Sequence, residues 1–148
     1  MREIEFRAKT LKDVRWIYGD LFKTGTDPSD EEWAIGYWDD ESGWMNEQVQ
    51  PETIGQFTGL TDKNGKRIFE GDIVECVSWN EYFSKDGKPM EPFRRKMFVD
   101  YRKGGFKMVE PMPEPMKDNE WDIICNGDIV IIGNIYDDPQ LIDMKRLG

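Results

Sequence analysis

The 148-residue chain has no histidine. That removes Ser/His and Cys/His nucleophilic systems, imidazole general bases and zinc sites of the usual Cys/His kind. Cysteine is nearly absent too: Cys76 and Cys125 are too few and too far apart for a thiolate metal site. They are expected as reduced, buried thiols, with a disulfide between them as the alternative. No window approaches the ~20 apolar residues of a membrane span, and Met1 to Ala8 alternates charged and apolar residues where a secretory signal needs an unbroken apolar block. A cytoplasmic protein without a membrane partner is expected. An excess of positive charge is lacking as well, since 20 Lys and Arg face 30 Asp and Glu for a net charge of -10. Such a surface repels phosphate backbones, so a nucleic-acid partner is disfavoured. Gly104-Gly105 lacks the spacing and the following helix of a phosphate-binding loop.

Large aromatic side chains are plentiful, with six Trp, five Tyr and eight Phe. They supply a core that a disordered chain would lack. Period-two alternation predicts strands over 4–8 and 14–22, paired as a hairpin and bent at Gly19. Aromatic-rich strands are expected over 33–38 and 43–49, divided by the acidic turn 39–43. Ser29 to Glu32 leaves a capped helical start open as an alternative. A short helical turn is predicted at 51–54, with Pro51 at an early position. Asn64-Gly65 between apolar segments predicts a hairpin with a type I′ turn. Further strands are expected over 73–79, 96–101, 106–109 and 121–125, with a loop over 81–92 and an extended connector at the prolines of 111–115. The apolar run 128–136 reads as a strand buried on both faces, followed by a terminal helical turn at 140–146.

Acidic residues are the remaining source of chemistry. Gly71-Asp72-Ile73-Val74 recurs as Gly127-Asp128-Ile129-Val130, so Asp72 and Asp128 are candidates for a paired carboxylate or cation site. The simpler reading is turn chemistry ahead of an Ile/Val strand. Asp39-Asp40-Glu41 and Asp137-Asp138 lack the spacing of a calcium loop and read as solvated turns. One local basic run stands against the net charge: Arg94, Arg95, Lys96, Arg102, Lys103 and Lys107. It reads as a solvated hairpin face. The alternative is a nucleic-acid-binding strip in which Phe98, Tyr101 and Phe106 stack on bases.

The string from Pro51 to Val74, PETIGQFTGLTDKNGKRIFEGDIV, resembles the YopX family of phage and prophage proteins. Arg2 to Ala8 is similar to that family's opening strand, and Ile132 to Leu141, IGNIYDDPQL, to its closing motif. The resemblance implies a mainly β protein with an irregular N-terminal β part, placed here at 1–54, and a C-terminal part at 55–148 like a small SH3-type barrel. It implies a phage or prophage origin and supplies no catalytic residue, cofactor or metal ligand. A noncatalytic accessory protein is therefore expected, binding an unidentified protein partner or assembling as a homo-oligomer.

Overall fold

Alternation in β1 (Phe6–Lys9) puts Phe6 and Ala8 on one side and Arg7 and Lys9 on the other. β2 (Trp16–Lys23) returns antiparallel, with Ala8 opposite Ile17 and Arg7 opposite Tyr18. The expected bend at Gly19 is present, because residues 16–19 pair with β1 while 20–23 pair with β3 (Trp33–Asp39). Only glycine fits there: φ is +157°, and a Cβ would lie 2.1 Å from the carbonyl oxygen of Gly36. β3 begins directly after the Ser29–Glu32 segment, so the strand reading holds over the helical one. β4 (Gly43–Val49) pairs back onto β3 across the acidic turn, where Asp39 Oδ1 accepts the amides of Glu41 and Ser42.

The computed structural model describes residues 3–78, 93–123 and 128–142 and is mainly β. The expected loop at 81–92, Cys125, the Asn126-Gly127 turn and residues 143–146 lie outside those described. Contacts divide the chain into two units, Met1–Leu60 and Thr61–Gly148.

In the N-terminal unit the strand order is β4-β3-β2-β1-β5, with β5 spanning Gly55–Thr61. One continuous stretch, 48–57, runs antiparallel along the outer edge of β1. Leu11 donates to the Gln48 carbonyl, Gln50 to the Lys9 carbonyl and Phe57 to the Glu5 carbonyl. Thr10 also bridges Val49, which joins β4 to the end of β1 and closes the four strands into a ring. The chain leaves this line for one 3₁₀ turn at Pro51–Thr53, matching the expected helical turn. There the Lys9 amide would lose its partner, and the hydroxyl of buried Thr53 accepts it at 2.9 Å. Ala8, Ile17, Ile35 and Val49 fill the interior, backed by Phe6, Leu21, Trp33, Tyr37 and Ile54.

The C-terminal unit holds β6 (Arg67–Phe69) and a five-stranded antiparallel sheet of β7 (Asp72–Ser78), β8 (Phe93–Arg102), β9 (Gly105–Glu110), β10 (Asn119–Asp122) and β11 (Ile129–Asn134), in the order β10-β9-β8-β7-β11. Both faces of this sheet are apolar at its centre. Val74, Met97, Val99 and Met108 pack on one face with Ile68 and Ile129, while Ile73, Phe98 and Val109 pack on the other with Ile142. Leu141, in the 3₁₀ turn Pro139–Leu141, joins the second group. The sheet is compatible with a small barrel.

Two expectations need correction. β11 is an edge strand bonded only to β7 within its sheet, and of its residues only Ile129 is fully buried. Its apolar run serves both faces because a bulge between Ile131 and Gly133 sends Ile131 to one cluster and Ile132 to the other. The Asn64-Gly65 turn is not type I′, since only Gly65 has positive φ, at +80°, and its amide donates to the Asp62 carbonyl. It is the longer loop built on a type I turn ending in a left-handed glycine. The pair of consecutive left-handed residues occurs instead at Lys103 and Gly104, φ +54° and +80°, in the β8–β9 turn.

Gly19→Ala drives a methyl into a backbone carbonyl and is expected to cost at least about 3 kcal/mol. Gly59→Ala, at φ +90° with open space around the new Cβ, carries only backbone strain of about 1 kcal/mol. Urea midpoints of the two variants check the contrast; equal losses would mean the close approach at Gly19 does not exist.

Candidate functional site

The motif segments from the C-terminal unit converge in one place. Buried Asp62 accepts the amides of Asn64 and Lys66 on Oδ1, each at 2.9 Å, and the amide of Ile131 on Oδ2 at 3.0 Å. Lys63 adds a bond to the Ile129 carbonyl, so the 62–66 turn is fastened to the free side of β11. Gly71 receives the Ile135 amide and donates to the Val99 carbonyl. A side chain at Gly71 would collide with the Tyr136 ring, at 2.9 Å from a Cβ. Asp72 Oδ2 accepts the Phe69 amide, and Asn134 Oδ1 accepts the amides of Tyr136 and Asp137. Each carboxylate or amide here is engaged by backbone, which is architecture.

The Gly-Asp echo does not form a site. Asp72 sits opposite Asn134 and Cys76 opposite Ile129, so Asp128 begins the far end of the same ladder. At ~3.4 Å per residue the two carboxylates are roughly 14 Å apart or more. Among the described residues no three acidic or thiol groups are arranged to hold a metal ion.

The six basic residues are placed on both faces of the C-terminal sheet. Alternation in β8 puts Arg94, Lys96 and Arg102 on the Phe98 face, with Lys107 of β9 opposite Asp100 beside them. Arg95 lies on the Met97 face, over the Trp121 ring at 5.2 Å. Lys103 is in the turn. Carboxylates interleave with them throughout. Arg94 pairs with Glu75 at 2.9 Å and Arg95 with Glu110 at 3.1 Å; Lys96 lies opposite Glu75 in register. Arg102 reaches Asp100, Glu120 and Asp118 at 2.9, 3.0 and 3.8 Å, Lys103 reaches Glu120 at 3.1 Å, and Lys107 reaches Asp122. Exposed Tyr101 and Trp121 lie on the Arg95 side, away from four of the bases. Arg102 and Lys103 also line an open groove of about 690 Å³ with Glu114 to Glu120.

Burial of Arg102 opposes its charge, yet the hydrogen bonds to Asp100 and Glu120 prevail and raise its pKa. The hydrogen bond from Arg102, then that from Lys103, holds the Glu120 carboxyl below the usual range.

The N-terminal unit presents a different surface. Trp33 and Tyr37 of β3 join the interior, but Trp38 has the opposite parity and is 68% exposed. Trp44, directly across from it on β4, is 53% exposed. Tyr18 and Phe22 of β2 emerge on the same face at 46% and 37%. The Trp44 indole lies over Gly36, where any Cβ would meet it at 2.3 Å. Parity relative to Ile35 carries this outward placement in the sequence itself, whereas composition alone leaves Trp33, Trp38 and Trp44 open between core and an exposed patch.

A family model described as YopX protein matches residues 5–143. The crystal structure of protein EF1440 from Enterococcus faecalis is similar in fold, with a TM-score of 0.52 at 20% identity, covering 97% of this chain and 100% of that one. No curated protein matches the chain.

Two outcomes are expected. Asp62→Ala leaves three amides without their acceptor and costs about 3 kcal/mol at neutral pH. Burial works against the Asp62 charge, but the amides of Ile131, Lys66 and Asn64 outweigh it and depress its pKa. Its contribution is therefore complete above the unfolded value of ~3.9 and fades as pH falls through the lower folded value. The gap between urea titrations of wild type and variant should narrow in acid, as the part of the stabilisation tied to the Asp62 charge is lost; a constant gap would contradict this role. Arg102→Met leaves Asp100, Asp118 and Glu120 facing one another, so its melting temperature should fall at pH 7 and recover toward wild type as acid neutralises the Glu120 carboxyl, which Arg102 and Lys103 hold below its usual range. Thermal melts across pH check it.

Proposed function

The chain belongs to the YopX family, and we propose that it is a noncatalytic accessory protein of phage or prophage origin that binds a protein partner or a second copy of itself in the bacterial cytoplasm. The phage origin rests on the family resemblance. The observation that carries the binding role is the outward face of the N-terminal sheet, where Tyr18, Phe22, Trp38 and Trp44 stand exposed together. Single exposed aromatics are ordinary, but several on one sheet face form the kind of patch that protein interfaces use. A nucleic-acid role has weaker support, because the basic residues are interleaved with carboxylates and separated from the exposed aromatics. No helix among the described residues is long and apolar enough to cross a membrane.

Size-exclusion chromatography with light scattering, followed by pull-down from host lysate, tests the reading. The expected result is a defined oligomer or a specifically retained protein, either of them weakened by Trp38→Ala. A strict monomer that retains nothing would sink it. Anisotropy with labelled single-stranded and duplex oligonucleotides should show no salt-sensitive binding; a strong salt-sensitive signal would favour the nucleic-acid reading instead.

A further inference from the structure

We propose that the end of the β3–β4 hairpin docks a Lys/Arg-rich segment of a partner protein, with cationic side chains laid on the Trp38 and Trp44 indoles and neutralised by the carboxylates around them. The inference deepens the partner-binding reading and rests on it. Charge complementarity selects the occupant. The N-terminal unit, 1–60, carries 13 Asp and Glu against 6 Lys and Arg, a net charge of -7, whereas 61–148 carries 17 against 14, a net of -3. The turn next to the two indoles is Asp39-Asp40-Glu41, with Asp40 and Glu41 exposed. Asp20, also exposed, stands opposite Gly36, the glycine that lies beneath Trp44.

The molecule's other described tryptophans show what this environment lacks. Trp16 carries Arg7 at 4.8 Å and Lys9 at 5.6 Å, Trp33 carries Lys23 at 5.2 Å and Trp121 carries Arg95 at 5.2 Å. Among the described residues, Trp38 and Trp44 carry no such cation. They are also the two most exposed tryptophans described. An indole face attracts a cation through its ring quadrupole, and carboxylates on the flanks add to that attraction. A second copy would bring the same acidic turn against this one, so like charges oppose self-docking here. An anionic membrane surface is opposed on the same ground.

The experiment uses the full chain and fluorescein-labelled peptides of alternating Arg and Gly, with the Glu-Gly counterpart as control, read by anisotropy at low and high salt. Specific binding of the Arg peptide is expected, with affinity falling about tenfold in Trp38→Ala. Asp40→Asn with Glu41→Gln should weaken it by a similar factor. The same charge change made at Glu31 and Glu32, exposed and before β3, should leave affinity nearly unchanged. Trp38 is exposed enough that its removal should leave the melting temperature unaltered; the turn variant provides an independent route if it does not. Equal weakening by both acidic pairs, or insensitivity to Trp38, would mean diffuse attraction to an acidic protein and would overturn the proposal. A dimer that dissolves in Trp38→Ala would overturn it in favour of a second copy. A lysate partner retained equally by wild type and Trp38→Ala would also overturn it while leaving the partner-binding function intact, whereas a monomer binding neither peptide nor partner would remove both.

Discussion

A strand edge inside a folded protein must find partners for its amides, and in both units a side-chain oxygen supplies one where the backbone does not. Thr53 takes the Lys9 amide at the point where the 48–57 segment steps away from β1. Asp62 takes the Ile131 amide on the side of β11 that no strand of its sheet covers. Asp72 does the same for Phe69 ahead of β7. These bonds matter beyond their individual strength, because a buried amide without an acceptor loses its hydration for nothing in return. They let short, irregular connections substitute for additional strands.

The C-terminal sheet shows how a charged chain maintains an apolar centre. Ile73, Phe98 and Val109 occupy the middle of one face, and the bases and acids of β8, β9 and β10 surround them as ion pairs within and between strands. Exposed pairs of this kind add little stability singly. Arg102 differs because it lies among three carboxylates, so removing it converts attraction into repulsion. Local neutrality here leaves most of the net negative charge to the N-terminal unit.

Much of the fold was legible in the residues. Alternation locates β1 and β2, the aromatic-rich runs locate β3 and β4, and Pro51 and Gly19 mark a helical turn and a bend. What alternation cannot convey is the neighbour across a strand. β11 reads as doubly buried because each of its isoleucines does meet apolar atoms, yet the bulge and the edge position come from pairing with β7. The Asn64-Gly65 dipeptide does not convey its turn type, because a carboxylate two residues before Asn64 takes amides of the loop. The basic strip likewise looked continuous along the chain, whereas its partners come from β7, β9, β10 and the segment before β10. The exposed tryptophans were hidden by composition, which counts aromatics without assigning them a face.

Gly19, Gly36 and Trp44 form a stack through the sheet, with Gly19 against the Gly36 carbonyl and the indole resting on Gly36 itself. Surface positions usually drift independently of the backbone beneath them. Here the outline of the exposed face depends on two absent side chains. A related chain with a bulkier residue at the position of Gly36 would have to displace its tryptophan or reshape its bend, so these three positions should vary in concert, as one inherited unit.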